Sequence, residues 1–216
     1  MPPILPFGKK LCRTVTTRST IAVVTHAFDK EYWERHWHDS HFEHPPNPYL
    51  ATETGDLAPG TALDAGCGTG AEAVWLAAHG WQVTAADISA AALARAAERA
   101  TDGDVAERVR LVEADLCDWQ PEQRFDLVTT HYAHPAMPQL EFYDRIADWV
   151  APGGTLLIVG HRHGHDSPAE ASVTAEAITA RLDEAAWHIV TAEEHRRALA
   201  GTTLHDVVVR ARKENR

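Results

Sequence analysis

Glycine residues are concentrated in one short stretch of the chain, directly after an apolar run. Residues 63–71 read Leu-Asp-Ala-Gly-Cys-Gly-Thr-Gly-Ala, and a Pro-Gly pair stands shortly before them. Glycine at positions 66, 68 and 70 lets the backbone turn sharply and come close to a ligand, where any Cβ would intrude. A glycine-rich turn between a strand and a helix is a common binding site for nucleotide cofactors. This stretch therefore predicts that the chain binds such a cofactor.

The acid in that stretch bears on which cofactor it is. Asp64 precedes Gly66 by two residues, so we expect its carboxylate near the mouth of the turn. A cofactor diphosphate there would meet like charge. S-adenosylmethionine carries an ammonium and a sulfonium group and no phosphate, so an acidic turn favours it. Because Gly66, Gly68 and Ala71 also satisfy the loose dinucleotide pattern, an NAD(P)-dependent oxidoreductase is the first alternative.

Two further acids stand where predicted strands end. Asp87 closes the second strand, and a carboxylate there can accept both hydroxyls of an adenosine ribose. Its alternative role is to cap the next helix, although Ser89 already suits that position. Asp115 follows the third strand and could accept from an adenine amino group, with Leu116 packed on the ring. The alternative for Asp115 is a capping or solvated loop position.

Histidines follow the fourth and fifth predicted strands. His131 and His134 come after the fourth, and His161, His163 and His165 come after the fifth. In a doubly wound sheet the reacting groups gather beyond the carboxyl ends of the strands, and imidazole titrates near neutral pH, which suits a general base. We predict that at least one histidine of these loops acts on the substrate, with His131 or His134 first. The alternative for each is a loop residue with a satisfied hydrogen bond.

The histidines after the fifth strand also suggest a metal. His161, His163 and His165 alternate, and imidazoles that share one face of a strand suit zinc, copper or nickel, with Asp166 as an oxygen ligand. No cysteine or glutamate completes a familiar ligand pattern, and 14 histidines in the chain make a chance cluster easy. We therefore predict no metal site.

Aromatic residues near the start of the chain are spaced as on a helix. Tyr32 and His36, like Trp33 and Trp37, are four residues apart and would share a helix face. We interpret this segment as a lid over the site, in which the tyrosine and both tryptophans contact the substrate together with Tyr132. The alternative is an amphipathic helix that packs on the domain without touching a ligand.

The elements that position these residues alternate along the chain. We expect strands over residues 61–63, 81–87, 109–114, 125–130, 155–160, 187–192 and 205–211, and helices over 29–37, 49–54, 71–78, 90–100, 138–150 and 168–184, with a tight turn at 151–154. This order predicts an α/β fold, namely a doubly wound, mainly parallel seven-stranded sheet with an antiparallel edge strand. Residues 1–26 are expected to form a disordered leader, and 27–216 a single domain whose first part, 27–56, is the helical lid.

The composition excludes several classes of partner. The formal net charge of −11 argues against nucleic acid, because phosphate backbones require basic surfaces. No apolar run approaches the ~18 residues of a membrane span, and the apolar run after the basic start is too short for a signal peptide. Three cysteines form neither a metal-ligand spacing nor a disulfide framework. We therefore expect a cytoplasmic monomer or homodimer that acts on a small molecule.

Four stretches resemble, in order and spacing, the motifs of class I S-adenosylmethionine-dependent methyltransferases. Residues 63–71 resemble the family's glycine motif, and 86–89, Ala-Asp-Ile-Ser, resemble the acidic end of its second strand. Residues 114–116, Ala-Asp-Leu, resemble its adenine-side motif, and 150–155, Val-Ala-Pro-Gly-Gly-Thr, resemble the turn before its fifth strand. The resemblance covers roughly residues 57–212, which is nearly the whole expected domain.

The resemblance implies cofactor contacts by position. Around the methionine part of the donor it implies Asp64, Gly66 and Gly68. It implies Asp87 and Ile88 at the ribose and adenine, and Asp115 and Leu116 at the adenine. Beside the methionine and the transferring methyl it implies Thr130 or His131. The compact chain with its aromatic helix is more narrowly similar to bacterial small-molecule methyltransferases of the tellurite-resistance and thiopurine type. Residues 130–135 depart from the Asn/Asp-Pro-Pro-Tyr/Phe motif, which argues against methylation of amino groups on DNA bases or protein glutamine.

The predicted reaction is transfer of a methyl group from S-adenosylmethionine to oxygen, nitrogen or sulfur of a small molecule. Seven tryptophans and the aromatic helix favour an aromatic or heterocyclic acceptor. The oxidoreductase alternative lacks the Tyr-x-x-x-Lys pair of short-chain enzymes. The second alternative is a non-catalytic module that keeps the cofactor fold to sense S-adenosylmethionine or to dock a partner.

Overall fold

A computed structural model describes residues 28–39, 44–161, 173–199 and 202–215 of the chain. The helices are α1 (Lys30–Asp39), α2 (Pro48–Thr54), α3 (Ala71–Ala78), α4 (Ala90–Asp102), α5 (Gln139–Ala147) and α6 (Ala175–Thr179), with a short 3₁₀ turn at Ala106–Arg108. The strands are β1 (Thr61–Ala65), β2 (Gln82–Asp87), β3 (Val109–Glu113), β4 (Phe125–His131), β5 (Val150–His161), β6 (Trp187–Leu199) and β7 (Thr202–Lys213). The predicted leader over 1–26 lies outside the described residues.

The seven strands form one sheet in the order β3-β2-β1-β4-β5-β7-β6. The pairs among β1 to β5 are parallel, and β7 runs antiparallel to both β5 and β6. The predicted fold class, a mainly parallel doubly wound sheet with an antiparallel strand at one side, is thereby confirmed. The antiparallel strand stands one position in from the edge, because β6 returns along its outer side.

Both faces of the sheet are covered by apolar side chains. Neighbouring residues of β1 point to opposite faces, as pleating requires: Leu63 joins a cluster that includes Phe142 of α5, and Ala62 joins a cluster that includes Leu76 of α3. Helices therefore lie on the two sides of the parallel strands. This arrangement brings the carboxyl ends of β1, β2, β4 and β5 to one edge of the sheet, where the predicted site residues follow.

The structure corrects the helix predicted over 168–184. In the described part of that range, α6 covers only Ala175–Thr179, and turns follow it up to β6. The Asp183 carboxylate accepts from the N–H of Ala185 at 3.0 Å, and such local side-chain bonds compete with helical ones. Leu182 is nevertheless buried. The apolar periodicity therefore predicted the burial of this residue correctly, but it did not predict its secondary structure.

The predicted tight turn at 151–154 is part of β5. Phe125 pairs with Val150 while Leu127 pairs with Thr155, so β5 carries additional residues in a bulge beside β4. Helix α5 consequently ends before the predicted residue 150. Strands β6 and β7 are longer than predicted, because they form a continuous antiparallel pair from Trp187 to Leu199 and from Thr202 to Lys213.

None of the helices in the described ranges combines the length and the apolar character that crossing a membrane demands.

Candidate active site

The glycine turn between β1 and α3 has a left-handed backbone. Gly66, Gly68 and Gly70 have φ angles of 80°, 51° and 75°, which residues with a Cβ rarely adopt. A Cβ on Gly66 would overlap the Cβ of Ala133. The Gly66 N–H donates to the carbonyl of Ala86 at 2.8 Å, which holds the turn against the end of β2. Glycine is therefore required here by backbone angle and by space.

A cavity of about 650 Å³ opens beside this turn at the carboxyl ends of the parallel strands. Cavities of roughly 300–1,000 Å³ are typical of sites for small ligands. Among the residues predicted from the sequence, those that line it are Gly66, Gly68, Asp87, Ile88, Asp115, Leu116, His131, His134, His161, Tyr132, Tyr32, Trp33 and Trp37. Of the predicted residues that the structure describes, it thus brings together all but Asp64 and Thr130.

Asp87 ends β2 with its carboxylate beside the glycine turn. One oxygen accepts from the N–H of Gly68 at 2.8 Å, and the other accepts from the N–H of Ser89 at 2.9 Å. Burial raises the pKa of Asp87, and these backbone hydrogen bonds oppose the rise. The Ser89 hydroxyl accepts from the N–H of Ala92 at 3.2 Å and so caps α4, as the sequence indicated. Asp87 therefore joins the turn to the start of α4 while lining the cavity.

Asp64 lies behind the glycine turn, and the expectation that it stands near the mouth is wrong. Its side chain is 1% exposed, and it accepts a backbone hydrogen bond from Ala73 in the first turn of α3. The N-cap of that helix, Gly70, supplies no side-chain bond of its own. Burial raises the pKa of Asp64 well above its usual range, and the charges of Glu72 and Asp87 add to the rise. Asp64 thus serves the start of α3.

Thr130 also lies outside the cavity. The Thr130 hydroxyl donates to the carbonyl of Ala65 at 2.8 Å, which ties β4 to β1.

Glu72, in the first turn of α3, lines the cavity and accepts from the N–H of Asn47 at 2.9 Å. Glu72 was not predicted from the sequence. Its position could have indicated this role, because Glu72 lies in the first turn of the helix that follows the glycine turn.

Helix α1 covers the cavity with aromatic side chains. Tyr32, Trp33, His36 and Trp37 all line it, and the Trp37 ring lies against Gly68, 3.0 Å from where a Cβ would stand. The close fit of this indole to the turn leaves no room for a side chain there. The helix predicted from the aromatic spacing is therefore present, and its aromatic face is directed at the cavity.

A carboxylate of α1 fastens this helix to α4. Glu34 accepts from the N–H of Ala90 at 2.8 Å, from the N–H of Ala91 at 3.1 Å and from the hydroxyl of Ser89 at 3.0 Å. Burial tends to raise the pKa of Glu34, but these hydrogen bonds outweigh it and the pKa is lowered. The Trp33 indole N–H adds a bond to the carbonyl of His134 at 3.3 Å. The Glu34 contacts span about 55 residues of sequence, so no local pattern could have shown them.

Two predicted histidines stand on the β4 side of the cavity. His131 has its Nε2 at 2.8 Å from the hydroxyl of Thr129, and burial lowers its pKa. Its Nδ1 is buried without a hydrogen-bond partner in the described structure. His134 has its Nδ1 at 3.1 Å from the amide oxygen of Gln139, and burial lowers its pKa as well. Both rings are therefore favoured in the neutral form.

A buried carboxylate on β7 organises the opposite end of the cavity. Asp206 is 0% exposed and accepts from the hydroxyls of Tyr132 at 3.0 Å and Tyr49 at 3.2 Å. Arg197 donates to it from β6, and Nδ1 of His161 lies 3.4 Å from it. We call these five residues the Asp206 cluster. Three of them, Tyr132, His161 and Arg197, line the cavity.

Tyr132 and His161 were predicted from the sequence as site residues, whereas Tyr49, Asp206 and Arg197 were not. An acid inside an otherwise apolar strand was the available signal for Asp206, since a buried charge requires partners. Nothing in the sequence marked Arg197, which reaches Asp206 across the β6–β7 pair.

The described residues contain no group of three or more His, Cys, Asp or Glu side chains placed to hold a metal ion. His163, His165 and Asp166, the remaining members of the metal interpretation, lie outside the described residues.

Comparison with known proteins gives a consistent result. Residues 62–154 match the family model described as a methyltransferase domain. The chain is 31% identical over 118 residues to probable thiol methyltransferase 2 of Arabidopsis thaliana, which covers 52% of each protein. It is 36% identical over 111 residues to ribosomal RNA small subunit methyltransferase C of Alcanivorax borkumensis, which covers 48% of this chain and 33% of that protein. The chain thus spans only about a third to a half of the length of these curated relatives.

A solved structure extends the likeness to most of the chain. The 1,6-didemethyltoxoflavin-N1-methyltransferase of Burkholderia thailandensis, bound to 1,6-didemethyltoxoflavin and S-adenosylhomocysteine, is 26% identical, with a TM-score of 0.58 over 78% of this chain and 77% of that one. The sheet order, the left-handed turn after β1 and the matched domain agree with one another. Residues 62–154 of the chain therefore match a methyltransferase domain, on a fold similar to that of this S-adenosylhomocysteine-bound methyltransferase.

Proposed function

We propose that this protein transfers a methyl group from S-adenosylmethionine to oxygen, nitrogen or sulfur of a small molecule. The observation that carries the proposal is one cavity in which the left-handed glycine turn, the acidic end of β2 and the aromatic face of α1 meet. A cavity with these walls has room for a nucleoside donor at the turn and an acceptor beneath the helix.

The residues at the turn fit this donor. Glycine at positions 66 and 68 lets the turn pack against Ala133 and the Trp37 ring, and this turn forms the wall of the cavity. We assign the ribose hydroxyls to Asp87 and the adenine to Ile88, Asp115 and Leu116; the support is that all four line the cavity. When bound, the donor supplies an activated sulfonium methyl group. The role proposed for Asp64 and Thr130 is indirect, in that they hold α3 and β4 behind this wall.

Charge supports a cationic donor over a dinucleotide. The carboxylates of Glu72, Asp87 and Asp115 line the cavity, and a field of this sign attracts an ammonium and a sulfonium while it repels a diphosphate. Asp64 does not line the cavity, but Glu72 supplies the negative charge that Asp64 was expected to supply.

The acceptor side favours a small, flat molecule. Phe28, Tyr32, Trp33 and Trp37 form an aromatic cover, and aromatic faces bind planar rings well. The Arabidopsis relative is named as a thiol methyltransferase, and the Burkholderia enzyme holds a heterocyclic substrate. Both support acceptors of this size. Nucleic acid is not proposed, because the chain carries a net charge of −11.

A transfer screen tests the function. The protein is incubated with S-adenosylmethionine carrying a labelled methyl group and with a panel of phenols, thiols, halides and amines, and labelled products are separated from donor. We expect transfer to at least one class, and much weaker transfer by the Asp87→Ala variant. Tight donor binding without transfer to any member of the panel would favour the sensing module instead.

We further propose a cytoplasmic location and a monomeric or homodimeric state. The support for the location is that Cys67 and Cys117 are both free thiols, which is typical of a reducing compartment. Light scattering coupled to size-exclusion chromatography measures the oligomeric state, and fractionation of the source cells measures the location.

A further inference from the structure

The Asp206 cluster contains a charge that the donor site does not use. Asp206 is completely buried, and burying a carboxylate is costly unless charged and polar partners surround it. Its partners come from four different elements, since Tyr49 belongs to α2, Tyr132 follows β4, His161 ends β5 and Arg197 lies on β6. Convergence of this kind at the wall of a cavity indicates a function beyond stability.

His161 is held firmly within the cluster. Its ring stacks on Tyr132 with centroids 3.8 Å apart and planes 13° from parallel. Nδ1 lies 3.4 Å from Oδ1 of Asp206, and the Tyr132 hydroxyl donates to the same oxygen at 3.0 Å. A carboxylate this close to Nδ1 of a histidine favours the tautomer with the proton on Nδ1, and in that tautomer the lone pair is on Nε2.

The backbone at Tyr132 is strained in a way that serves this arrangement. Tyr132 has a φ of 57°, a left-handed conformation that is rare for bulky residues. Such strain persists where the surrounding structure imposes it, and it clusters at functional sites. Here the unusual angle directs the Tyr132 ring onto His161 and its hydroxyl onto Asp206.

Arg197 balances the charge of the cluster. It donates to Oδ2 of Asp206 and to the Tyr132 hydroxyl at 3.1 Å. The charges of Arg197 and Asp206 cancel, so the carboxylate beside His161 is itself paired with a cation.

We propose that His161 is the general base of methyl transfer, that Asp206 is its positioning residue, and that the acceptor is a weakly acidic thiol or phenol. This inference rests on the proposed function. An acceptor already ionised at neutral pH has no need of such a base, whereas an un-ionised S–H or O–H group must lose its proton as it attacks.

The step balances in atoms and charge. The acceptor sulfur or oxygen forms a bond to the methyl carbon while its proton passes to Nε2 of His161. The bond between that carbon and the donor sulfur breaks, and its electron pair stays on the donor sulfur, which becomes a neutral thioether. The imidazolium at His161, stabilised by Asp206, then returns its proton to water.

This geometry places His161 ahead of the two histidines near β4. The Nδ1 of His134 faces the amide of Gln139, and Nε2 of His131 faces the hydroxyl of Thr129. Both hydrogen-bond partners are neutral. The charge of Glu72 tends to raise the pKa of His131, but burial outweighs it and the pKa is lowered. In His161 the corresponding partner is a carboxylate.

A matched pair of thiols tests the proposal. 4-Nitrothiophenol is ionised at neutral pH, whereas 4-nitrobenzyl mercaptan is not. In the corresponding hydroxyl pair, 2,4-dinitrophenol is ionised and phenol is not. For the un-ionised acceptor, His161→Gln is expected to lower kcat by about 10²-fold or more, within the range of general-base effects. For the ionised acceptor the loss is expected to be far smaller. Asp206→Asn is expected to show the same contrast in milder form, and His188→Gln, at an exposed position outside the cavity, is the matched control.

Binding provides a readout that is independent of turnover. Quenching of tryptophan fluorescence in the presence of S-adenosylhomocysteine measures acceptor affinity, and His161→Gln should leave it unchanged. Equal loss of rate on both members of a pair, loss of acceptor binding, or no loss on either member would overturn the role of His161. Because His161 stands at a strand end, its variant keeps the test decisive even if Asp206→Asn fails to fold.

Binding of S-adenosylmethionine distinguishes failure of this inference from failure of the proposed function. If the wild-type protein binds S-adenosylmethionine but methylates none of these acceptors, the thiol or phenol assignment is overturned. If it fails to bind S-adenosylmethionine at all, the proposed function falls as well.

Discussion

We predict that removal of the Glu34 carboxylate, which attaches α1 to α4, increases the opening of α1. Glu34→Ala removes three hydrogen bonds to one carboxylate, two of them from N–H groups at the start of α4. Loss of a comparable capping group costs about 0.5–2 kcal/mol, and loss of a negative charge at a helix start costs about 0.3–1 kcal/mol. Glu34 lies near the surface, so we expect a combined effect of about 1–2 kcal/mol. That corresponds to a roughly 5- to 30-fold larger population of opened helix.

Hydrogen exchange measures this opening directly. We expect faster exchange of amides in α1 in Glu34→Ala and a similarly faster dissociation of S-adenosylmethionine, because the helix covers its site. Glu31→Ala is the matched control: it removes the same charge from the same helix but only a surface ion pair with Arg35, worth about 0.5 kcal/mol or less. Unchanged exchange and unchanged dissociation in Glu34→Ala would refute the account of α1 as a fastened cover.

The same contact has a defined pH dependence. The folded-state pKa of Glu34 is lowered, so its contribution is present above the ordinary pKa of a glutamate. The contribution is lost as the pH falls through the lowered value. Wild-type exchange in α1 should therefore approach that of Glu34→Ala in acid, and a difference that persists well below the lowered pKa would contradict this assignment.

Three other substitutions test separate parts of the structure. Asp87→Ala should weaken S-adenosylmethionine binding by roughly 1–3 kcal/mol through lost charged hydrogen bonds, and unchanged affinity by calorimetry would remove Asp87 from the site. Gly66→Ala should lower the free energy of unfolding by roughly 1–3 kcal/mol from backbone strain alone, and a urea midpoint equal to wild type would show that the turn tolerates a Cβ. Phe142→Ala, in the core on the α5 side, should cost about 3–5 kcal/mol in urea unfolding, whereas a loss under about 1 kcal/mol would contradict its full burial.

Features with a short sequence range could be predicted. The glycine turn and the strand ends at Asp87 and Asp115 are encoded by neighbouring residues, because backbone angle and apolar runs are local properties. The cap of α4 by Ser89 is local for the same reason. The mainly parallel, doubly wound sheet followed from the alternation of strands and helices together with the rules of connection, whereas the order of its strands was not predicted.

Features that depend on distant partners could not be predicted. Tyr49 and Asp206 meet across 157 residues, and Glu34 reaches α4 from another part of the chain. The direction of the Asp64 side chain also depends on tertiary structure, because pleating and the start of α3 together turn it behind the loop. In each case the residue type was visible in the sequence, but its partner was decided by the fold.

Calorimetric titration of the protein with S-adenosylmethionine, S-adenosylhomocysteine and NAD⁺ tests the central claim most directly. We predict saturable binding of the first two at one site per chain, with no heat from NAD⁺. Binding of NAD⁺ together with silence toward both sulfur nucleosides would contradict the account.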